Sequence, residues 1–190
     1  MYETRGEYVE RITANLGKLV DAALPNYTSY GPDGQLVRTG LLNDPEDIFR
    51  PLLPEVRNLI SVVSFRITAD EPGLASTSGV YGTGASAVYA SLDNFYVFDR
   101  DYSGEDGTLT RIMKFDWDAT TGDVDFVATT AVPGSILNQF SADEHGGYLR
   151  IATTIDHRAS GNWSGRAENT LFVLQDDEGV FEFVGSLRNL

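Results

Sequence analysis

Carboxylates and a hydroxyl at alternate positions between Asp99 and Gly107 have the spacing to hold a hard cation. The stretch reads Asp99-Arg100-Asp101-Tyr102-Ser103-Gly104-Glu105-Asp106-Gly107. Acids at the first and third positions, an oxygen at the fifth and Gly at the sixth match the opening half of a Ca2+ loop, where several hard oxygens surround the ion around a tight turn. Asp99, Asp101, Ser103 and Glu105 are the candidate ligands, and Ca2+ is the one cofactor suggested. The closing half departs from the pattern: Gly107 and Thr110 stand where further oxygens belong. An acidic, solvated hairpin loop is the plainer reading of the same residues and is preferred.

Other residues with chemical potential read more simply. Asp116 and Asp118 face Asp123 and Asp125 across a turn, an arrangement that would repel unless a cation intervened, and turn formation accounts for them better. His145 and His157 bracket one expected strand, whose eight residues would hold them about 26 Å apart, too far to share a metal. Ser164 in Gly161-Asn162-Trp163-Ser164-Gly165 is not centred in a nucleophile elbow, and no catalytic residue is assigned. Gly79 to Gly84 lacks the helix and Lys of a phosphate loop. The segment 156–168 is longer than a hairpin turn and is expected as a loop. It carries Trp163 between Arg158 and Arg166, the composition of an interaction hot spot, or of a Trp folded back onto its own sheet.

These groups need a frame, and the composition supports one. The 190 residues are 42% hydrophobic and 11% aromatic, enough for a core and unlike a disordered chain. The net charge of −14 argues against nucleic acid and anionic lipid, which bind through Lys and Arg. With no Cys there are no disulfides, thiolate metal sites or Cys nucleophiles. No apolar run is long enough to insert in a membrane, and Met1 to Arg5 does not open a signal peptide.

Along the chain, Thr4-x-x-Glu7 is a capping box, and Tyr8, Ile12, Leu16, Leu19, Val20 and Ala23 form one apolar stripe. The pattern predicts one amphipathic helix, stopped by Pro25 and laid against a sheet. Proline-rich 25–56 is expected as loop, with a short helical turn at Asp44 to Asp47. Beyond it, period-2 alternation predicts strands at 58–68, 74–81, 86–91, 94–99, 108–117, 123–131, 137–142, 148–155, 169–175 and 180–187. Residues 86–132 and 136–187 can be overlaid as four strands each, a unit near 50 residues of the size expected for propeller blades. The expected organisation is a helix and loop insertion at 1–56, a half-blade at 57–82, and blades at 85–134 and 135–190.

The words KFDWD at 114–118, DFVATTAVPG at 125–134, LNQFSADEHGGYLRIATT at 137–154 and NTLFVLQDDEGVFEFVGSLRNL at 169–190 follow SLDNFYVFDRD at 91–101. In this order they resemble the secreted bacterial and archaeal β-propeller domain proteins distantly related to WD40 repeats. The resemblance implies a mainly β fold of antiparallel four-stranded blades, about two and a half of them, with the N-terminal helix as an insertion between blade elements. Closure needs four or more blades, so the remaining blades are expected outside this chain, which then resembles a fragment of a longer exported protein. The function expected is a non-enzymatic scaffold binding a protein or glycan at the cell surface, secreted or surface-held in the full-length form. The alternatives are a Ca2+-stabilised adhesion module, and a propeller enzyme whose site lies partly in the missing blades. Convergent titratable groups would favour the enzyme; an exposed aromatic patch would favour the scaffold.

Overall fold

A computed structural model describes residues 2–51, 58–67, 72–102, 107–159 and 162–190, with the side chains of 157–166 outside that description. The chain divides into two compact units, Met1–Asp47 and Ile48–Leu190.

In the first unit the capping box forms as the sequence predicts. Thr4 Oγ1 accepts from the Glu7 amide at 3.3 Å, and Glu7 Oε2 accepts from the Thr4 amide at 2.8 Å. The single expected helix is two, α1 (Arg5–Ala14) and α2 (Leu16–Ala23). Asn15 makes the break: its backbone leaves the helical region, and its side-chain amide donates to the Arg11 carbonyl at 2.8 Å. That local bond competes with helix continuation, which is why Asn suits termini better than helix interiors. Pro25 ends α2 one residue after its cap, as expected. The following segment is not all loop. β1 (Asn26–Tyr30) and β2 (Leu36–Leu41) form an antiparallel hairpin, with Gly31 to Gly34 as its turn and Gly34 at φ +77°. The expected helical turn is a 3-10 turn, Pro45–Asp47.

The described residues of the second unit form three sheets. β3 (Ile48–Phe49), β4 (Asn58–Arg66) and β5 (Gly73–Gly82) are ordered β3-β5-β4, with β3 parallel to β5 and β4 antiparallel to it. β6 (Ala87–Ala90), β7 (Asn94–Asp101), β8 (Leu109–Trp117) and β9 (Val124–Pro133) form a four-stranded antiparallel meander. The third sheet contains β10 (Ser135–Ile136), β11 (Ala142–His145), β12 (Tyr148–Ala159), β13 (Asn162–Asp177) and β14 (Val180–Arg188). Here β10 and β11 share one edge of β12, in place of the strand expected at 137–142. Between them the Asn138 side chain accepts from the Phe140 amide and caps a 3-10 turn, Gln139–Ser141. Leu137 and Phe140 are therefore exposed rather than alternating on a strand.

Both faces of the middle sheet carry buried side chains, and strand periodicity sorts them. Val97, Met113, Phe115 and Val124 face the first sheet and pack with Val80, Ile60 and Val62. Tyr96, Phe98, Ile112 and Val132 face the third and pack with Ile136, Leu149, Ile151, Phe172 and Leu174. Hydroxyls reinforce the packing. Ser76 and Ser78 of β5 accept from the amides of Val124 and Phe126 at 3.2 and 3.1 Å. Thr110, fully buried, donates to the Gly134 carbonyl at 2.7 Å and accepts from the Ile136 amide at 3.0 Å, fixing the link between the second and third sheets.

Candidate functional site

The acidic stretch from Asp99 begins on a strand. β7 extends to Asp101, two residues past its expected end, so Asp99 and Asp101 lie on extended backbone with their side chains on the same face. Asp99 is the cross-strand neighbour of Arg111 on β8, and that guanidinium lies between the two acids. Arg111 Nη1 stands 3.3 Å from Asp99 Oδ2, and Nη2 stands 2.5 Å from Asp101 Oδ2; both ion pairs are buried. Asp99 also accepts from the amide and the hydroxyl of Thr83, both at 2.6 Å. The cation beside these two carboxylates is thus a side chain of the next strand. Ser103 and Glu105, the other two candidate ligands, lie outside the described residues. Among the described residues no three acids or histidines gather in metal-binding geometry.

A second polar cluster, which the sequence does not suggest, joins the middle and third sheets. Lys114 Nζ lies 2.6 Å from Asp176 Oδ2 and 3.3 Å from Asp116 Oδ1. Burial alone would depress this ammonium, but the hydrogen bond to Asp176 and the charges of Asp116 and Asp176 outweigh it and hold its pKa above the ordinary value. Asn94 donates to Glu144 at 2.6 Å, and the Tyr89 hydroxyl accepts from the Glu144 amide at 3.0 Å. Burial, with the Glu144 carboxylate beside it, pushes the Tyr96 phenol well above its usual range. Lys114 stands on β8 among apolar neighbours, and only the paired strands bring Asp176 to it. Asp116 and Asp125 are cross-strand partners as expected, and Asp118 accepts from the amides of Thr120 and Thr121, the work of a turn former.

The expected loop at 156–168 is mostly strand. β12 and β13 continue along one another, Asp156 pairing with Ala167, Arg158 with Trp163 and Ala159 with Asn162. Arg158 and Trp163 are thus cross-strand partners on a long hairpin arm, and Arg166 is three residues along β13; the side chains of all three lie outside the description. The irregularity between Asp156 and Arg158 breaks the alternation there, which hides the strand in the sequence.

Among the described residues, a cleft of about 810 Å³ lies between β4 and the β6–β7 face of the middle sheet. Ile60, Val62 and Phe65 form one wall; Val88, Ala90 and Phe95 form the other; Trp117 and the 119–122 turn close one end. Several of these are well exposed: Phe65 64%, Ile67 81%, Val88 43% and Trp117 45%. Trp117 was legible as part of KFDWD, but nothing in that word marks it as a surface residue rather than the end of an alternating strand.

The antiparallel four-stranded meander, packed face to face with its neighbours, is the arrangement of a blade between blades. The beta propeller domain family covers residues 6–190. This chain belongs to that family. An uncharacterised protein of Archaeoglobus fulgidus is 45% identical to this propeller chain over 58 residues, 30% of the chain and 7% of the relative. An uncharacterised protein of Methanocaldococcus jannaschii is 41% identical over 66 residues, 34% of the chain and 9% of the relative. Less than a tenth of either relative is therefore matched by the propeller chain. No solved structure is significantly similar to it.

Proposed function

We propose that this propeller chain is part of a non-enzymatic scaffold that binds a protein or glycan at the cell surface of its host, exported in the full-length protein. The observation that supports the reading is the cleft between β4 and the β6–β7 face. It offers exposed Phe65, Ile67, Val88 and Trp117 where a catalytic centre would need convergent titratable groups. The titratable groups described elsewhere are engaged with one another: Asp99 and Asp101 with Arg111, and Lys114 with Asp116 and Asp176. They fix one strand or sheet to the next. The acidic surface keeps the scaffold soluble and turns away polyanions. No helix among the described residues is long and apolar enough to cross a membrane.

The test is binding of labelled protein to envelope fractions of the host, untreated, protease-treated or periodate-treated. Saturable binding that one treatment removes is the expected outcome, and the sensitive treatment identifies the partner as protein or glycan. Absence of saturable binding to untreated envelopes would refute the reading.

A further inference from the structure

We infer that Asn26 is the attachment site of an N-linked glycan, added to its side-chain nitrogen as the chain is exported. The inference goes beyond the binding role proposed above but rests on the export in that reading. Asn26-Tyr27-Thr28 is an Asn-x-Thr acceptor whose middle residue is not Pro. So short a triplet arises readily by chance, and placement in the fold is what separates an acceptor from a coincidence. β1 alternates exposed and half-buried residues, and both Asn26 and Thr28 are on its exposed face. The residue opposite Thr28 is Thr39, which is small, polar and also exposed. Thr39 donates its hydroxyl to the Tyr27 carbonyl at 3.1 Å, whereas no described residue engages the Thr28 hydroxyl. The other face is partly covered by the hairpin itself. There the Arg38 guanidinium lies 5.9 Å from the centre of the Tyr27 ring, and a Cβ at Gly40 would touch that ring. A bulky, hydrophilic substituent on Asn26 thus projects from the face that its own hairpin leaves open.

The donor is an oligosaccharide carried on a polyprenyl phosphate. Asn26 Nδ2 attacks the anomeric carbon, a C–N bond forms and the C–O bond to the phosphate breaks. The lipid phosphate leaves with the electron pair, Nδ2 gives up one proton to a base of the transferase, and no group is oxidised or reduced. The Thr28 hydroxyl, two residues along, completes the triplet that the transferase recognises. In the folded chain Nδ2 donates to the Asp21 and Leu24 carbonyls, both at 3.1 Å, across the end of α2. A glycosylated amide nitrogen retains one N–H, enough for one of those two bonds, so the substituent is compatible with the fold. The transfer takes place on the emerging chain, before those bonds close. A second triplet, Asn162-Trp163-Ser164, lies where the side chains are outside the description, and no glycan is assigned there.

The test uses the full-length protein produced in its own host, with cell fractionation and protease treatment of intact cells to establish export. Trypsin releases Leu19–Arg38, in which Asn26 is the one Asn, and mass spectrometry reads the saccharide on that peptide. Glycan on Leu19–Arg38 is expected, with occupancy falling at least tenfold in Asn26→Gln and in Thr28→Ala but retained in Thr28→Ser. Because occupancy is read on a digest, the result does not depend on how stable each variant is. Exported protein with an unmodified Leu19–Arg38 peptide would overturn the inference and leave the scaffold reading standing. Saccharide that survives Asn26→Gln would belong to a hydroxyl of the peptide and overturn Asn26 as the site. Equal loss in Thr28→Ser and Thr28→Ala would overturn recognition through the hydroxyl. Protein confined to the cytosol would refute export, and this inference with it.

Discussion

Replacing Arg111 by Met should be among the most damaging single changes in the chain. The guanidinium is hydrogen-bonded to Asp99 and Asp101, with both its own side chain and Asp99 less than a twentieth exposed. Removing it leaves two neighbouring, largely buried carboxylates without the cation between them. Loss of one partner from a buried ion pair costs about 3–5 kcal/mol. Asp99 keeps its two hydrogen bonds from Thr83, which favours the lower end, about 3 kcal/mol. With a urea slope of about 2–3 kcal/mol/M, the midpoint should fall by about 1–1.5 M. Arg111→Lys should lie between, because an ammonium keeps the charge but not the fork. The variant combining Arg111→Met with Asp99→Asn and Asp101→Asn should recover most of the loss, since none of these three positions then carries a charge. If Arg111→Met costs under about 0.5 kcal/mol, or the combined variant is as unstable as the single one, the charge argument fails and packing alone explains Arg111.

Thr110→Val keeps the shape but removes both bonds to the inter-sheet link; a cost of about 1–3 kcal/mol by denaturation is expected, with faster hydrogen exchange at the Ile136 amide. Gly134→Ala should cost more than about 1 kcal/mol: the residue sits at φ +90°, and a Cβ would come within 2.7 Å of Thr153 Oγ1 and the Thr154 carbonyl. Backbone hydrogen bonds from Thr121 and Thr120 lower the Asp118 pKa, so its contribution exists above the unfolded value near 3.9 and is lost as pH falls through the folded one. Asp118→Ala should therefore lower the melting midpoint at pH 7 and match the parent near pH 2. Ca2+ at Asp99 and Asp101 would have to displace Arg111, so equal midpoints in Ca2+ and EDTA are expected; an upward shift that Asp101→Ala abolishes would reverse that expectation.

The strands of the middle sheet were legible because Phe95, Val97, Met113 and Phe115 alternate with Tyr96, Phe98 and Ile112, and turn residues punctuate them. The capping box and the Pro25 stop were readable for the same reason: their causes are local. What escaped was decided by single side chains or by distant partners. Asn15 splits a helix whose apolar stripe runs unbroken through it, and Asn138 replaces a strand with a capped turn. The hairpin β1–β2 is short and lies among prolines, so alternation had little length in which to show. Asp99-x-Asp101 looked like half a Ca2+ loop because the spacing of cation ligands is also that of side chains on one face of a strand. Arg111, ten residues beyond Asp101, is the partner of both acids in the described structure, and only the β7–β8 register reveals it. The cleft was illegible altogether, since it depends on a mismatch in strand number between two sheets.

Buried side chains on both faces of the middle sheet have a consequence for how the chain is made. One face can close as soon as β8 and β9 follow β4 and β5 out of the ribosome. The other, with Tyr96, Phe98 and Ile112, waits for Phe172 and Leu174, which lie roughly 60 residues beyond Ile112. At ~5–20 residues per second that apolar face stays open for about 3–12 s. Nascent chains stalled before Phe172 should bind hydrophobic dyes, and chains carried through Leu187 should not. During those seconds the sheet is the part of the newborn protein most in need of shelter.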